Sequence, residues 1–125
     1  MKRLAALILC LCVLYIPASA AKNDKLVALT FDDGPSGRFT RRLLEGLEER
    51  GAKATFFLCG YRMEQFPDLT ERIYLEGHEI GIHGYSHKPM QDMCQRDTVQ
   101  EIRKTMPLLP EGCEVSFLRP PGGLC

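Results

Sequence analysis

Residues 25–36 have the sequence KLVALTFDDGPS, and this stretch decides how the rest of the chain is interpreted. Its first seven residues are mostly apolar and partly β-branched, which predicts a β-strand over residues 25–31. The strand pattern stops at Asp32-Asp33-Gly34-Pro35, a sequence typical of turns. Because consecutive residues of a strand point to opposite faces, the two aspartates can serve one site only where the strand ends and bends. We expect Gly34-Pro35 to provide that bend.

Strand and helix patterns alternate along the remainder of the chain. Apolar residues at helical spacing predict three helices, and short apolar runs predict three further strands. The predicted helices cover residues 40–51, 67–77 and 97–106, and the predicted strands cover residues 54–58, 78–82 and 115–118. We expect Asp97 and Gln100 to cap the start of the third helix. This order predicts an α/β fold in which right-handed crossovers build a parallel sheet with covered faces.

Length and composition fit one small globular domain. The chain has 125 residues, of which 45% are hydrophobic and 26% are charged, an ordinary balance that argues against disorder. Its formal net charge is zero, so no overall field favours nucleic acid or an anionic membrane as a partner. The chemistry must therefore be sought in individual motifs.

The first 20 residues have the pattern of a signal peptide. Two basic residues precede an uncharged apolar run over residues 4–16, and Ala18-Ser19-Ala20 forms a small-x-small cleavage pattern. The alternative, a transmembrane anchor, needs roughly 20 apolar residues, and this run is shorter. We therefore expect residues 1–20 to direct export and residues 21–125 to be secreted or held in the cell envelope, with no stable membrane span after cleavage.

Four cysteines follow the predicted cleavage site, at positions 59, 94, 113 and 125. An even number in an exported chain permits disulfides, and we expect some pairing among Cys94, Cys113 and Cys125. Cys59 lies inside an apolar run and is interpreted as a small buried hydrophobic residue. No two of these cysteines have the C-x-x-C spacing of a structural zinc site.

Residues able to do chemistry follow several of the predicted strands. Asp32 and Asp33 follow the first strand, His83 and His87 follow the third, and Arg119 follows the fourth. Functional groups of parallel α/β folds gather at the carboxyl ends of strands, so we expect these side chains to form one site. His78 instead precedes its strand and is interpreted as a structural residue at the opposite edge.

Asp33, His83 and His87 together offer one oxygen and two nitrogen ligands. Two imidazoles four residues apart converge on one ion if their segment is tightly turned. Such a set leaves coordination positions open for water and substrate, as in catalytic metal centres. Each motif alone has a plainer interpretation, because aspartate pairs also cap turns and isolated histidines are often surface or core residues.

The segment Arg119-Pro120-Pro121-Gly122-Gly123 contains two further candidates. The guanidinium of Arg119 can hold a carboxylate through a bidentate contact. The backbone N–H of Gly122 can donate to a developing oxyanion. Alone, the segment would be interpreted as a rigid surface turn.

Four motifs thus occur in order over residues 25–123: TFDDGPS, TFFL, GHEIG with H-x-x-x-H, and RPPGG. Together they resemble the polysaccharide deacetylase family, which includes chitin, chitooligosaccharide, xylan and peptidoglycan deacetylases. The resemblance implies a distorted (β/α) barrel that removes acetyl groups from an acetylated polysaccharide or oligosaccharide. It also implies one role for each candidate: Asp32 as general base, Asp33, His83 and His87 as ligands of a divalent metal, usually zinc, Arg119 as the residue that orients Asp32, and the Gly122 amide as an oxyanion donor.

The chain departs from the family pattern in several places. Ile82 and Gly84 flank the first histidine of H-x-x-x-H, where the family usually has Asn and Ser or Thr, and Gly122 stands where an aromatic residue is common. The family's later Asp-containing motif and its C-terminal histidine, the general acid, have no counterpart in this sequence. We therefore expect an incomplete barrel, truncated after the fourth strand, that carries the base and the metal ligands and lacks the acid.

Two other functions are weighed against deacetylation. A secreted metal-dependent glycan-binding pseudoenzyme, or an inactive fragment of a longer enzyme, would lack the acid for the same reason. A phosphoryl-transfer enzyme would use paired aspartates with a hard metal, but two imidazole ligands favour zinc-like ions over magnesium.

Overall fold

A computed structural model describes residues 25–123, and the predicted signal peptide lies outside them. The chain alternates strands and helices, with short 3-10 helices at Met90–Asp92 and Met106–Leu108. The main elements are β1 (Thr30–Gly34), α1 (Gly37–Glu48), β2 (Thr55–Leu58), α2 (Gly60–Gln65), α3 (Pro67–Leu75), β3 (Glu79–Ile82) and α4 (Gln95–Thr105). Among the described helices, none has both the length and the apolar character that crossing a membrane requires.

The three strands form one parallel sheet in the order β1-β2-β3. Thr30 lies opposite Thr55 in the first pair, and Phe56 lies opposite Ile80 in the second. Each connection contains at least one helix, as parallel neighbours require. The predicted parallel α/β architecture is therefore confirmed, and the carboxyl ends of the strands meet at one edge.

The first strand lies further along the chain than predicted. It runs from Thr30 to Gly34 rather than over residues 25–31, and Leu26 is 93% exposed. The ladder begins where the Thr55 N–H donates to the Leu29 carbonyl at 2.9 Å. Because β2 has only four residues, the segment before Leu29 extends past the end of its neighbour despite its β-forming composition.

The predicted fourth strand is wrong as an independent element. Residues 115–118 contribute one parallel bridge, between Ile82 and Leu118. Around it the Ile82 N–H donates to the Phe117 carbonyl and the Arg119 N–H donates to the Ile82 carbonyl, both at 2.9 Å. These two bonds are enough to place Arg119 beside the end of β3.

Two helices also differ from the prediction. α2 has six residues, too few to produce a recognisable helical period, and sequence analysis missed it. α4 begins at Gln95, so Cys94 rather than Asp97 occupies the N-cap position, and no side chain caps it. The expected Asp97-Gln100 cap is therefore wrong.

One apolar cluster joins the helices to the sheet. Its members come from α1, α2, α3, β2, β3 and the residue just before β2, and they are Leu44, Leu47, Ala54, Phe56, Leu58, Met63, Ile73 and Ile80. Each is less than 8% exposed, so their burial supplies the main driving force for the fold. Cys59 is fully buried beside them, as predicted.

Cys94 and Cys113 are both free thiols, so a disulfide between these two residues is not formed. The expected pairing among Cys94, Cys113 and Cys125 is therefore contradicted for these two residues. The alternatives that involve Cys125 lie outside the described residues.

Gly81→Ala is expected to lower the free energy of unfolding by about 1–3 kcal/mol, the usual cost of overpacking. A Cβ at Gly81 would lie 2.6 Å from the Phe57 ring and 3.3 Å from the Phe117 carbonyl. Gly46→Ala is the control, because its Cβ would meet the mobile end of Arg50 at 3.5 Å and alanine favours a helix. Urea unfolding measures both, and a Gly81→Ala protein as stable as wild type would contradict this packing.

Candidate active site

The carboxyl edge of the sheet collects the polar residues that the motifs singled out. Asp32 and Asp33 lie at the end of β1, and His83 directly follows β3. His87 follows four residues later, and Arg119 is attached to β3 through the Leu118 bridge. The structure brings all five together, as the strand-end argument predicted.

Asp33, His83 and His87 form a compact cluster of three metal-ligand side chains. Their ligand atoms all lie within 4.8 Å of one another. Asp33 Oδ1 is 3.2 Å from His83 Nε2 and 2.7 Å from His87 Nε2. His83 is buried, whereas Asp33 and His87 are exposed, so the cluster opens toward solvent on one side.

The orientation of His83 is set by a backbone carbonyl. Its Nδ1 lies 2.6 Å from the carbonyl oxygen of Arg119. Because a carbonyl only accepts hydrogen bonds, Nδ1 carries the proton, and in the neutral ring Nε2 presents a lone pair toward Asp33. A lone pair and a carboxylate oxygen that face each other suit a shared cation, and a bonded second nitrogen is the usual support of a metal-ligating histidine.

Two of the three candidate ligands have left-handed backbone conformations. Asp33 has φ 65° and His87 has φ 61°, a region that non-glycine residues rarely adopt. The chain therefore bends at Asp33 itself, one residue earlier than predicted, and the β1–β2 register shifts between Phe31 and Gly34. This shift lets adjacent aspartates serve one site, and two such outliers in one cluster point to a functional constraint.

Arg119 holds Asp32 from the opposite side of the site. Its Nη1 donates to Asp32 Oδ1 at 2.5 Å and to Thr30 Oγ1 at 3.1 Å. The guanidinium also lies over the Phe57 ring, 3.9 Å from its centroid. The contact with Asp32 was predicted, whereas Thr30 and Phe57 were missed. The period-2 alternation of a strand could have found Thr30, since it lies two residues before Asp32.

Gly122 occupies a tight turn after Arg119. Its φ is 87°, which favours glycine over any other residue. The turn is closed by the Gly123 N–H, which donates to the Pro120 carbonyl at 3.3 Å. Within residues 25–123 no hydrogen bond links Gly122 to the aspartate–histidine cluster, so its oxyanion role stays a prediction.

His78 lies where its position before β3 predicted. It is 6% exposed, packs against Phe56, and accepts a hydrogen bond at Nδ1 from the Ala54 N–H at 3.3 Å. Burial, reinforced by the charge of Lys53, lowers the pKa of the ring despite the opposing effect of Glu76. A neutral, satisfied core histidine is the expected result.

Sequence analysis missed Glu101, which contacts the loop between the two clustered histidines. Its Oε2 accepts hydrogen bonds from the N–H groups of Tyr85 at 2.8 Å and Ser86 at 2.7 Å. No local pattern could reveal it, because Glu101 lies on α4 and reads as an ordinary helix-surface carboxylate. Cys59 is close to the site as well, but burial and the charge of Asp33 raise its pKa to about 12, which argues against a nucleophilic role.

A cleft of about 390 Å³ adjoins the two aspartates. Its floor is largely apolar, and one cation, Arg62, borders it; the other lining residues include Phe31, Phe39, Leu43 and Phe56. An apolar cleft with a few convergent polar groups is the usual form of a small-molecule or chain-end binding site.

Known proteins resemble this chain in sequence and in fold. The family model described as polysaccharide deacetylase matches residues 19–125. The chain belongs to the polysaccharide deacetylase family. It is 43% identical over 107 residues to a peptidoglycan-N-acetylglucosamine deacetylase of Bacillus cereus, covering 84% of this chain and 39% of that protein. It is 34% identical over 103 residues to the peptidoglycan-N-acetylmuramic acid deacetylase PdaC of Bacillus subtilis, covering 81% of this chain and 22% of the relative.

Solved structures of the family share the fold. The peptidoglycan deacetylase PdaC from Bacillus subtilis superposes with a TM-score of 0.77 at 34% identity, over 82% of this chain and 52% of that one. A family 4 carbohydrate esterase from Streptomyces lividans, in complex with acetate, gives 0.76 at 35% identity, over 82% and 54%. The chain thus spans less than half of the two sequence relatives and about half of these structures. Its sheet corresponds to the N-terminal part of the family's (β/α) barrel, which confirms the expected incomplete barrel.

His78→Asn is expected to make stability less dependent on pH between about 7.5 and 5.5. The lowered pKa of His78 means that the unfolded chain takes up a proton near pH 6.5 while the folded protein does not. Wild type therefore loses stability as the pH falls through that window. Asparagine retains an acceptor near the Ala54 N–H and does not titrate. Urea unfolding of both proteins with a chelator at the two pH values gives the slopes, and identical slopes would contradict a neutral buried His78.

Proposed function

We propose that this chain carries the metal-binding and base-bearing half of an enzyme that deacetylates an N-acetylglucosamine polymer, such as peptidoglycan or a chitooligosaccharide. One observation carries the proposal: a His-His-Asp cluster lies beside an aspartate that an arginine holds in place. Membership of the polysaccharide deacetylase family and the peptidoglycan deacetylases among its relatives support this substrate class. The predicted signal peptide and this substrate both favour action in the cell envelope or outside the cell.

Asp33, His83 and His87 would hold the metal. Two imidazole nitrogens and one carboxylate oxygen, with open coordination positions, suit zinc better than magnesium. The Arg119 carbonyl supports this assignment, because it fixes His83 in the tautomer that directs Nε2 at the cluster. A bound divalent metal would supply Lewis acidity, which lowers the pKa of water and polarises the acetyl carbonyl.

Asp32 is the proposed general base. Its carboxylate is partly exposed, so it can reach a water molecule and take a proton from it as the water attacks the acetyl carbon. Arg119 keeps the carboxylate oriented for this transfer. An exposed ion pair contributes only about 0–1 kcal/mol to stability, so the contact with Arg119 matters mainly for position and charge.

Gly122 is the proposed oxyanion donor. As the carbonyl carbon becomes tetrahedral, its oxygen gains negative charge, and a backbone N–H held in a rigid turn can donate to it without reorganisation. The bond from Gly123 to Pro120 supports such rigidity. Collapse of the intermediate then breaks the carbon–nitrogen bond, which releases acetate and leaves the sugar amine to be protonated.

The donor of that last proton is proposed to lie outside the 125 residues. The chain has three histidines; two belong to the cluster, and His78 is buried at the other edge of the sheet. The lack of a further histidine also favours a second function, a glycan-binding domain that binds the metal and does not catalyse deacetylation. Acetate release distinguishes the two functions.

Zinc is expected to bind the full chain at about one ion per molecule, as three convergent ligands in an open site imply. His87→Ala should abolish tight binding, since it removes one of the three ligands. Asp32→Asn is the matched control, because Asp32 is a neighbour of the cluster and not a member of it. Dialysis followed by metal analysis measures the ratio, and equal zinc in wild type and His87→Ala would refute the ligand assignment.

The chain is expected to release acetate from an acetylated chitooligosaccharide about 10²–10⁴ times more slowly than a complete family member, the usual contribution of a general acid. The Bacillus cereus relative, of which the chain spans 39%, is the reference enzyme. Equal turnover would show that the chain contains its own proton donor. No acetate at all, with zinc bound, would favour the glycan-binding alternative.

A further inference from the structure

The loop at residues 83–87 carries two of the three proposed metal ligands, yet it belongs to no regular element. It turns sharply, with Gly84 at φ 74° and His87 at φ 61°. Such a backbone cannot satisfy its own N–H and C=O groups through a helix or a ladder. Neighbouring elements must therefore hold it in place.

The carbonyl groups of this loop are held from one side by the start of α2. The N–H groups of Gly60 and Tyr61 donate to the carbonyls of Gly84 and Tyr85, both at 3.0 Å. The N–H groups are held from the other side by α4, where Glu101 Oε2 accepts hydrogen bonds from the backbone N–H groups of Tyr85 and Ser86. One carboxylate oxygen that accepts two consecutive backbone N–H groups makes two charge-assisted bonds, which are stronger than neutral ones.

The two histidines differ in how far they depend on Glu101. His83 is buried, its N–H donates to the Leu58 carbonyl, and its ring is bonded to Arg119. His87 is exposed, and in the described part of the chain its ring has no hydrogen-bond partner besides Asp33. The direction of the His87 ring is therefore determined by the backbone just before it, at Ser86.

We propose that Glu101 is a positioning residue for the metal site, which holds the His83–His87 loop in the conformation that directs His87 at Asp33. This inference rests on the proposed metal site and adds a residue to it. Loss of the carboxylate would leave two partly buried N–H groups without an acceptor. The loop would then shift so that water could bond to these N–H groups. His87, the adjacent residue with a left-handed backbone conformation, would move with it.

The space around Gly84 agrees with this role. A Cβ at Gly84 would lie 3.4 Å from Glu101 Oε2 and 3.2 Å from Met90 Cε. The Glu101 carboxylate thus packs closely against the loop backbone at Gly84, where a side chain would crowd it. Tyr85 has a separate tether, because its hydroxyl donates to Glu64 at 2.9 Å, so the bond to Ser86 is the one on which His87 depends most directly.

The test compares Glu101→Ala and Glu101→Gln in the full chain with the control Asp97→Asn. Asp97 lies one turn earlier on α4 and is exposed, so its variant removes the same charge from the same helix. We measure zinc affinity by chelator competition, amide hydrogen exchange at Tyr85 and Ser86 without zinc, and urea unfolding. Glu101→Ala is expected to weaken zinc binding about 10–100-fold, as loss of a supporting contact usually does, and to accelerate exchange at those two amides selectively.

Glu101→Gln should lie between wild type and Glu101→Ala, because an amide oxygen accepts hydrogen bonds without charge, and Asp97→Asn should behave like wild type. Zinc affinity and local exchange unchanged in Glu101→Ala would overturn the inference while the proposed metal site stands. Exchange that rises equally throughout the core would also overturn it, since that result indicates a general structural role. Failure of wild type to bind zinc would instead refute the proposed function, and this inference with it.

Discussion

The bond between His83 Nδ1 and the Arg119 carbonyl connects the two halves of the site. The backbone of Arg119 orients a candidate metal ligand, and its side chain holds the candidate base, Asp32. One residue thus sets the relative position of two groups that come from β1 and from the loop after β3, the two outer strands of the sheet. It can do so because the bridge at Leu118 attaches the Arg119 segment to β3, and because Phe57 on the central strand supports the guanidinium. A shift of this segment would disturb both groups at once.

Adjacent, chemically identical aspartates acquire different environments through one backbone angle. Asp32 continues the strand and meets a cation, whereas Asp33, at φ 65°, turns toward two imidazoles. A left-handed aspartate costs of order 1–3 kcal/mol, and it persists only where the surroundings over-determine it. Parallel pairing with β2 and the buried cluster beneath the sheet provide that constraint. Stability from the core is therefore what allows the site to keep a strained residue.

The arrangement of the motif residues was predictable from the sequence. Parallel strands direct their carboxyl ends to one side of the sheet, whatever the exact limits of each strand are. The limits themselves were less predictable. Residues 25–28 have a strand composition, but β2 is too short to pair with them. Residues 115–118 have one too, but they meet β3 only at a bridge. Glu101 could not be found at all, since its contact with the histidine loop depends on α4 packing against Ser86, which lies 15 residues earlier in the sequence.

The three histidines show how position in the fold, rather than residue type, decides what an imidazole can do. His78 enters β3 at its amino end, where burial favours the neutral ring and a backbone N–H uses its acceptor nitrogen. His83 leaves β3 at the carboxyl end, where a carbonyl takes its proton-bearing nitrogen and frees the other. The two rings thus differ because their neighbours differ: the Ala54 N–H next to β2 donates to His78, whereas the Arg119 carbonyl accepts from His83. At the carboxyl end of β3 an imidazole lone pair therefore faces the Asp33 carboxylate, an arrangement that suits a shared cation.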